Sequence, residues 1–303
     1  MLPILISVAW ATNPSPPIVN GDRTSDFIQV GAIMAYSDEY GGYPFCSGTL
    51  IHEKWVSTAA HCIEAVEEYA QYGMDIFFVL GDNLYNDSGW DEYDVAVSWV
   101  MHPDYTGSQQ SLGVDIGLME LETGFTDVEP IALNQEMPNL DWQGTLLDYV
   151  GWGVTGDDRE DSGIKRHAQI PYVDSDSTFI YAYDSDTNLC SGDSGGAALL
   201  ETEEGYVLVG VSSFVFSVEG SQPCVGGASG ATRIDAYFDW IREYVPEPTP
   251  PEPEISEEEL EETDELAGVD DDEKLIAGCS TVAAATPGVL LLSLLALGIR
   301  REN

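Results

Sequence analysis

Basic residues are the scarcest class in this sequence: ten Lys and Arg stand against 54 Asp and Glu in 303 residues, a formal charge of −44. That imbalance excludes nucleic acid and anionic lipid headgroups as partners, because both are recognised through a basic face. Histidine is rarer still, with four in the whole chain, so any imidazole chemistry has few sources. The five cysteines include no C-x-x-C pair, and the spacing of a common structural zinc or dithiol site is missing. No internal repeat is visible. What the chain does have is 44% hydrophobic residues, enough for a sizeable core in one or two domains.

Much of that apolar content lies in short runs rich in Val, Tyr, Phe and Ile, separated by Gly, Asn and Asp. Residues 27–35, 75–80, 146–152 and 206–215 are examples. This pattern predicts an all-β domain. One helix is expected, over Ile234–Tyr244, with Asp235 as its cap and Phe238 and Trp240 turned inward.

The most informative stretch is Cys190-Ser191-Gly192-Asp193-Ser194-Gly195-Gly196. A serine hydroxyl is a weak nucleophile at neutral pH and needs a base within hydrogen-bond reach and N–H donors aimed at the oxyanion it creates. Gly192 lets the backbone fold tightly enough to point its own N–H and that of Ser194 at one place. An ordinary Gly-Ser turn would read the same way in isolation, so the base and the acid decide. His61, in Thr58-Ala59-Ala60-His61-Cys62, follows an apolar strand ending and is expected on a short turn. His52, His102 and His167 have charged or loop neighbours and are expected at the solvated surface. Asp115 interrupts the apolar run 114–121, which reads as a core strand. A buried carboxylate needs a partner, and His61 is the natural one.

With those residues in view, the chain resembles the chymotrypsin/trypsin-type (S1) serine proteases in a bacterial form, over about residues 18–245. Ile18-Val19-Asn20-Gly21, the run around His61, Asp115 in Asp-Ile-Gly-Leu and Gly-Asp-Ser-Gly-Gly around Ser194 occur in the family's order. The resemblance implies two six-stranded antiparallel β-barrels with a C-terminal helix. It implies His61 as general base and then acid, Asp115 as its orienting partner and Ser194 as nucleophile, with Gly192 and Ser194 as the oxyanion hole. Protein or peptide is the implied substrate, no cofactor is required, and a monomer is expected. Ile18 is implied to pair, as a freed amine, with Asp193, so the uncleaved chain should be poorly active. The residue before it is Pro17, which leaves the activating protease unassigned. Cys46–Cys62 and Cys190–Cys224 are the implied disulfides, with a thiol site or metal ligands as the alternatives; bridges require an oxidising compartment.

The family's pocket-base position falls on Asn188, where trypsin-like members carry Asp. Ser213, Phe214, Val215 and Ser229 are the other implied pocket residues, and Val215 should narrow the mouth. Together they imply a preference for small or medium uncharged P1 side chains. The loop 82–92 resembles the calcium loop of some relatives, with Asp82 and Glu92 as carboxylate ligands; a solvated acidic loop is the alternative. A protease-like surface protein that only binds remains the other functional reading.

The ends carry their own signals. Residues 1–11 resemble a secretory signal, without a positive leading segment, and the recorded start is expected to lie slightly downstream of the true one. Residues 12–17 would form a short propeptide. Residues 246–274 are rich in Pro and Glu and are expected to form a disordered acidic stalk. Residues 275–303 hold an apolar run followed by Arg300 and Arg301, the length of one transmembrane helix. The layout around Cys279 resembles the MYXO-CTERM sorting tail, with Cys279 as the processing or lipidation site; a plain transmembrane anchor is the alternative. The expected location is the cell surface or exterior, with a membrane-tethered precursor.

Overall fold

In the computed structural model, residues 18–86, 90–108 and 111–247 are described. The expectations for the signal, propeptide, stalk and tail, including Cys279, lie outside the described residues. Among the described residues no helix is long and apolar enough to cross a membrane.

Two closed barrels form the fold, as the resemblance implied. In the first, Val30–Ser37, Gly41–His52, Trp55–Thr58, Gly117–Leu121, Trp90–Met101 and Asp75–Gly81 follow one another around the ring. In the second the order is Arg166–Ser175, Leu146–Gly151, Ala197–Thr202, Gly205–Phe216, Ala228–Arg233 and Phe179–Tyr183, which pairs back onto the first of these. Every pairing in both rings is antiparallel. Closure leaves no free edges, which is how such strands avoid templating aggregation.

The side-chain period of two shows which face of each strand is covered. Along Val30–Ser37, Ile33 and Ala35 enter the main core, while Ala32 and Met34 on the opposite face pack with Val79 and Trp152. Trp152 follows a strand of the second barrel, so this strand is buried on both faces because the barrels meet there. A second core fills the other barrel and contains Ile18, Tyr149, Ile170, Ile180 and Leu189.

Several local expectations are corrected. His61 lies not on a short turn but in the first turn of a helix, Ala60–Gln71, so Ile234–Tyr244 is not the domain's one helix. The run Ile63-Glu64-Ala65-Val66-Glu67-Glu68 is made of helix-compatible residues, and Cys62, Ile63 and Val66 fall on one buried face. The cap position of the C-terminal helix is Arg233; Asp235 stands inside the first turn and pairs with the Arg233 side chain. Phe238 and Trp240 are partly buried against the core, where Ile234 and Ile241 are fully buried. The first long strand begins at Val30, not at Phe27. Asp115 precedes its strand, which starts at Gly117. His102 is buried against Tyr237 and Trp240 of the C-terminal helix, and His167 is bound to the buried Asp148 carboxylate, so neither is a solvated surface residue.

Candidate active site

His61 and Asp115 come from the first barrel and meet directly. The Asp115 side chain is wholly buried. Its Oδ1 accepts the backbone N–H of His61 at 2.9 Å, and its Oδ2 meets His61 Nδ1 at 2.8 Å. The Ser213 hydroxyl, from the second barrel, donates to the same Oδ2. Thr232 Oγ1 donates to the Asp115 carbonyl at 2.7 Å and fixes the loop. A carboxylate so engaged orients Nδ1 as the protonated ring nitrogen and leaves Nε2 free to act as an acceptor. The imidazole remains partly open to solvent, at 28% exposure.

Ser194 lies on a loop held against the strands that precede His61. Gly192 and Gly195 take φ values of +93° and +82°, in the left-handed region that favours glycine. A Cβ on Gly195 would meet Thr58 Oγ1 at 2.0 Å and the Ser47 carbonyl at 2.2 Å, so the Ser194 loop touches the segment three residues before His61. Ser47 clamps the loop from the first barrel. Its N–H donates to the Ser194 carbonyl at 2.8 Å, its hydroxyl donates to the Gly192 carbonyl at 2.8 Å, and Ser47 Oγ also accepts Trp152 N–H at 3.0 Å. Sequence reasoning missed Ser47; its only signal was its place beside Cys46. The N–H groups of Asp193, Gly195 and Gly196 donate to Cys190, Ser212 and Asp193 carbonyls respectively. Those of Gly192 and Ser194 meet no protein acceptor among the described residues.

Both implied disulfides are formed, Cys46–Cys62 and Cys190–Cys224. Loop closure of these sizes stabilises a fold by about 3 to 4 kcal/mol, and here one bridge adjoins His61 and the other the Ser194 loop. Cys46, His61 and Cys62 form the grouping of metal-binding size among the described residues, but the two sulfurs are bonded to each other and offer no thiolate. Asp82 and Glu92 gain no third His, Cys or carboxylate ligand there, and residues 87–89 between them lie outside the description. No metal role is assigned to them.

A cavity of about 170 Å³ opens beside Ser194, lined among others by Cys190, Ser212, Ser213, Phe214 and Val215. Asn188 and Ser229 are wholly buried and do not reach its wall. Ser229 is the cross-strand partner of Val215. Asn188 Nδ2 donates to the Pro223 carbonyl at 3.0 Å, and its backbone carbonyl accepts Val19 N–H at 2.8 Å. Asp193 is turned inward, 1% exposed, accepting N–H groups from Gly153 at 2.8 Å and Cys190 at 2.9 Å. Burial pushes its carboxyl up to about 7, against those hydrogen bonds and the charge of Arg166.

A double antiparallel barrel with a buried Asp–His pair and a glycine-flanked serine between the barrels defines a hydrolase of the serine endopeptidase class. The family model described as trypsin matches residues 18–241. Chymotrypsin-like elastase family member 1 of Bos taurus is 30% identical over 232 residues, covering 69% of this chain and 81% of that protein. The human protein of the same name is 28% identical over 237 residues, 70% of this chain and 85% of the relative. Limulus clotting factor C of Carcinoscorpius rotundicauda is 28% identical over 266 residues, 76% of this chain and 26% of the relative. The chain belongs to the trypsin family and is a serine endopeptidase.

Proposed function

We propose that Ser194, His61 and Asp115 cleave peptide bonds through an acyl-enzyme. Ser194 Oγ attacks the scissile carbonyl as His61 Nε2 takes its proton. The oxyanion is received by the N–H groups of Gly192 and Ser194, and Asp115 stabilises the imidazolium. His61 then protonates the leaving amine, and water, deprotonated by His61, releases the acid product. The observation that carries this reading is the wholly buried Asp115 carboxylate bound to both the ring and the backbone of His61. A carboxylate placed there has an orienting role to play and is costly otherwise.

The small cavity, with β-branched Val215 on its wall and no carboxylate among its lining residues, supports small or medium uncharged P1 side chains. The elastase names of two similar proteins agree with that direction. The mature chain begins at Ile18. Two disulfides suit an oxidising compartment, which supports export, and the C-terminal run supports a tether at the cell surface.

The test is covalent. Purified chain beginning at Ile18 should be labelled by a fluorophosphonate, and Ser194→Ala should abolish both labelling and peptide hydrolysis. Retention of either in the variant would refute the assignment. A P1-varied peptide library dominated by Lys or Arg would overturn the specificity, and sequencing of fully active native material that starts at Thr12 would overturn the processing site.

A further inference from the structure

Asp193 raises a problem of charge. In the uncleaved chain the Ile18 nitrogen is an amide joined to Pro17, so it offers no ammonium. Yet Ile18 is already wholly buried and Val19 is bridged to Asn188, with Asp193 turned in. An ionised carboxylate in such a place is strongly disfavoured without a counter-charge.

The fold supplies one from an unexpected position. Arg166 is the direct cross-strand partner of Gly151, and directly opposed residues of an antiparallel pair project to the same face. Gly151 has no side chain, and Asp193 fills the space: a Cβ on Gly151 would lie 2.3 Å from Asp193 Oδ1 and 3.0 Å from its Cγ. The carboxyl thus takes the slot beside Arg166 that a side chain at 151 would occupy. Arg166 is itself only 3% exposed. Its Nη1 donates to the Ile164 carbonyl at 2.8 Å, and its buried Nε has no hydrogen-bond partner. Without a direct hydrogen bond to Asp193, the guanidinium acts through a poorly screened interior.

We propose that Arg166 is the built-in counter-charge of Asp193, holding that carboxylate inward in the uncleaved chain and giving the Gly192–Ser194 loop its working shape before an ammonium forms at Ile18. The inference rests on the reading of Ser194 as nucleophile, and it revises the expectation of a poorly active precursor. Arg166 is a positioning residue that acts through Asp193. Hydrolysis of the Pro17–Ile18 bond would add the Ile18 ammonium as a second cation. The other charges that bear on Arg166 are Arg23, its register partner on the short strand Asp22–Arg23, which opposes it, and Asp161, which supports it. Burial and Arg23 pull Arg166 down to about 10, still cationic at neutral pH. Burial raises Asp193 to about 7 with Arg166 in place, so loss of the arginine moves it higher.

The experiment compares fluorophosphonate labelling rates from pH 6 to 10 in two forms: the full chain with Pro17–Ile18 intact, verified by mass, and the chain cut before Ile18. The variants are Arg166→Met, Arg166→Lys and Arg166→Gln, the last keeping a donor for Ile164. In the intact form the wild type is expected to label. Arg166→Met and Arg166→Gln should move the acid limb of labelling up by about one pH unit, which slows labelling roughly tenfold at pH 6 and about twofold at pH 8, and Arg166→Lys should restore most of the rate. In the cut form the loss at pH 6 should shrink to less than about threefold. If Arg166→Met does not fold, Arg166→Gln and Arg166→Lys decide. The proposal is overturned if intact wild type is silent while the cut form labels, if the neutral variants match wild type, or if both forms lose equally without rescue by lysine. Silence of the cut wild type would instead overturn the assignment of Ser194, and this inference with it.

Discussion

At the scale of single residues, the site depends on how few donors serve one carboxylate. Asp115 Oδ2 receives His61 Nδ1 and the Ser213 hydroxyl, so Ser213 joins the hydrogen-bond network of Asp115 as well as the cavity wall. Removing a hydrogen bond to a charged, buried acceptor costs about 1.5 to 3 kcal/mol. Ser213→Ala is therefore expected to lower kcat by about tenfold or more, with KM for a small-P1 substrate changed much less; an unchanged kcat would show that Ser213 only lines the wall. The contact between His61 and Asp115 was legible in the sequence because each sat in a distinctive local run. Ser47 was not, because its three contacts join segments distant in the chain. Arg166 was not legible either, since nothing local says that residue 166 faces the glycine at 151.

Elements are decided by packing as much as by pattern. The helix Ala60–Gln71 escaped a strand-oriented reading because it follows immediately on the strand Trp55–Thr58, with only Ala59 between, and has no side-chain cap to announce its start. Asp94 shows a single acid holding two elements. From the strand Trp90–Met101 it accepts the N–H of Val95, the N–H and hydroxyl of Thr123 and the N–H of Gly124, tying the turn after Gly117–Leu121 to its neighbour. Burial works against its charge, but those hydrogen bonds prevail and hold the carboxyl below its usual range. The folded value lies below the unfolded one, so this stabilisation is present above the unfolded pKa and is lost as pH falls through the folded pKa. Asp94→Ala should destabilise the domain by about 3 kcal/mol at pH 7, and the deficit against wild type should shrink at strongly acid pH. Denaturant melts at both pH values check this; an equal deficit at both would assign the loss to packing alone.

On the scale of the whole molecule, charge dominates. A chain at −44 repels itself in the compact state, and salt screens that repulsion over about 10 Å at 0.1 M. Raising sodium chloride from about 10 to 500 mM is expected to raise Tm by several degrees, measured at constant pH on the full chain; a flat or falling Tm would mean that the acidic groups are already compensated.

The sequence by itself determined the all-β class, because alternating short apolar runs and turn residues are carried along the chain, and the resemblance its motifs carry implied a serine endopeptidase and the two cysteine pairs. Only the tertiary structure decided what surrounds them. It brought Ser213 to Asp115 and Ser47 to the Ser194 loop, left Asn188 and Ser229 buried and off the cavity wall, and set Arg166 beside the slot that Asp193 fills at Gly151. These relations arise from strand register and barrel closure, which align residues far apart in sequence.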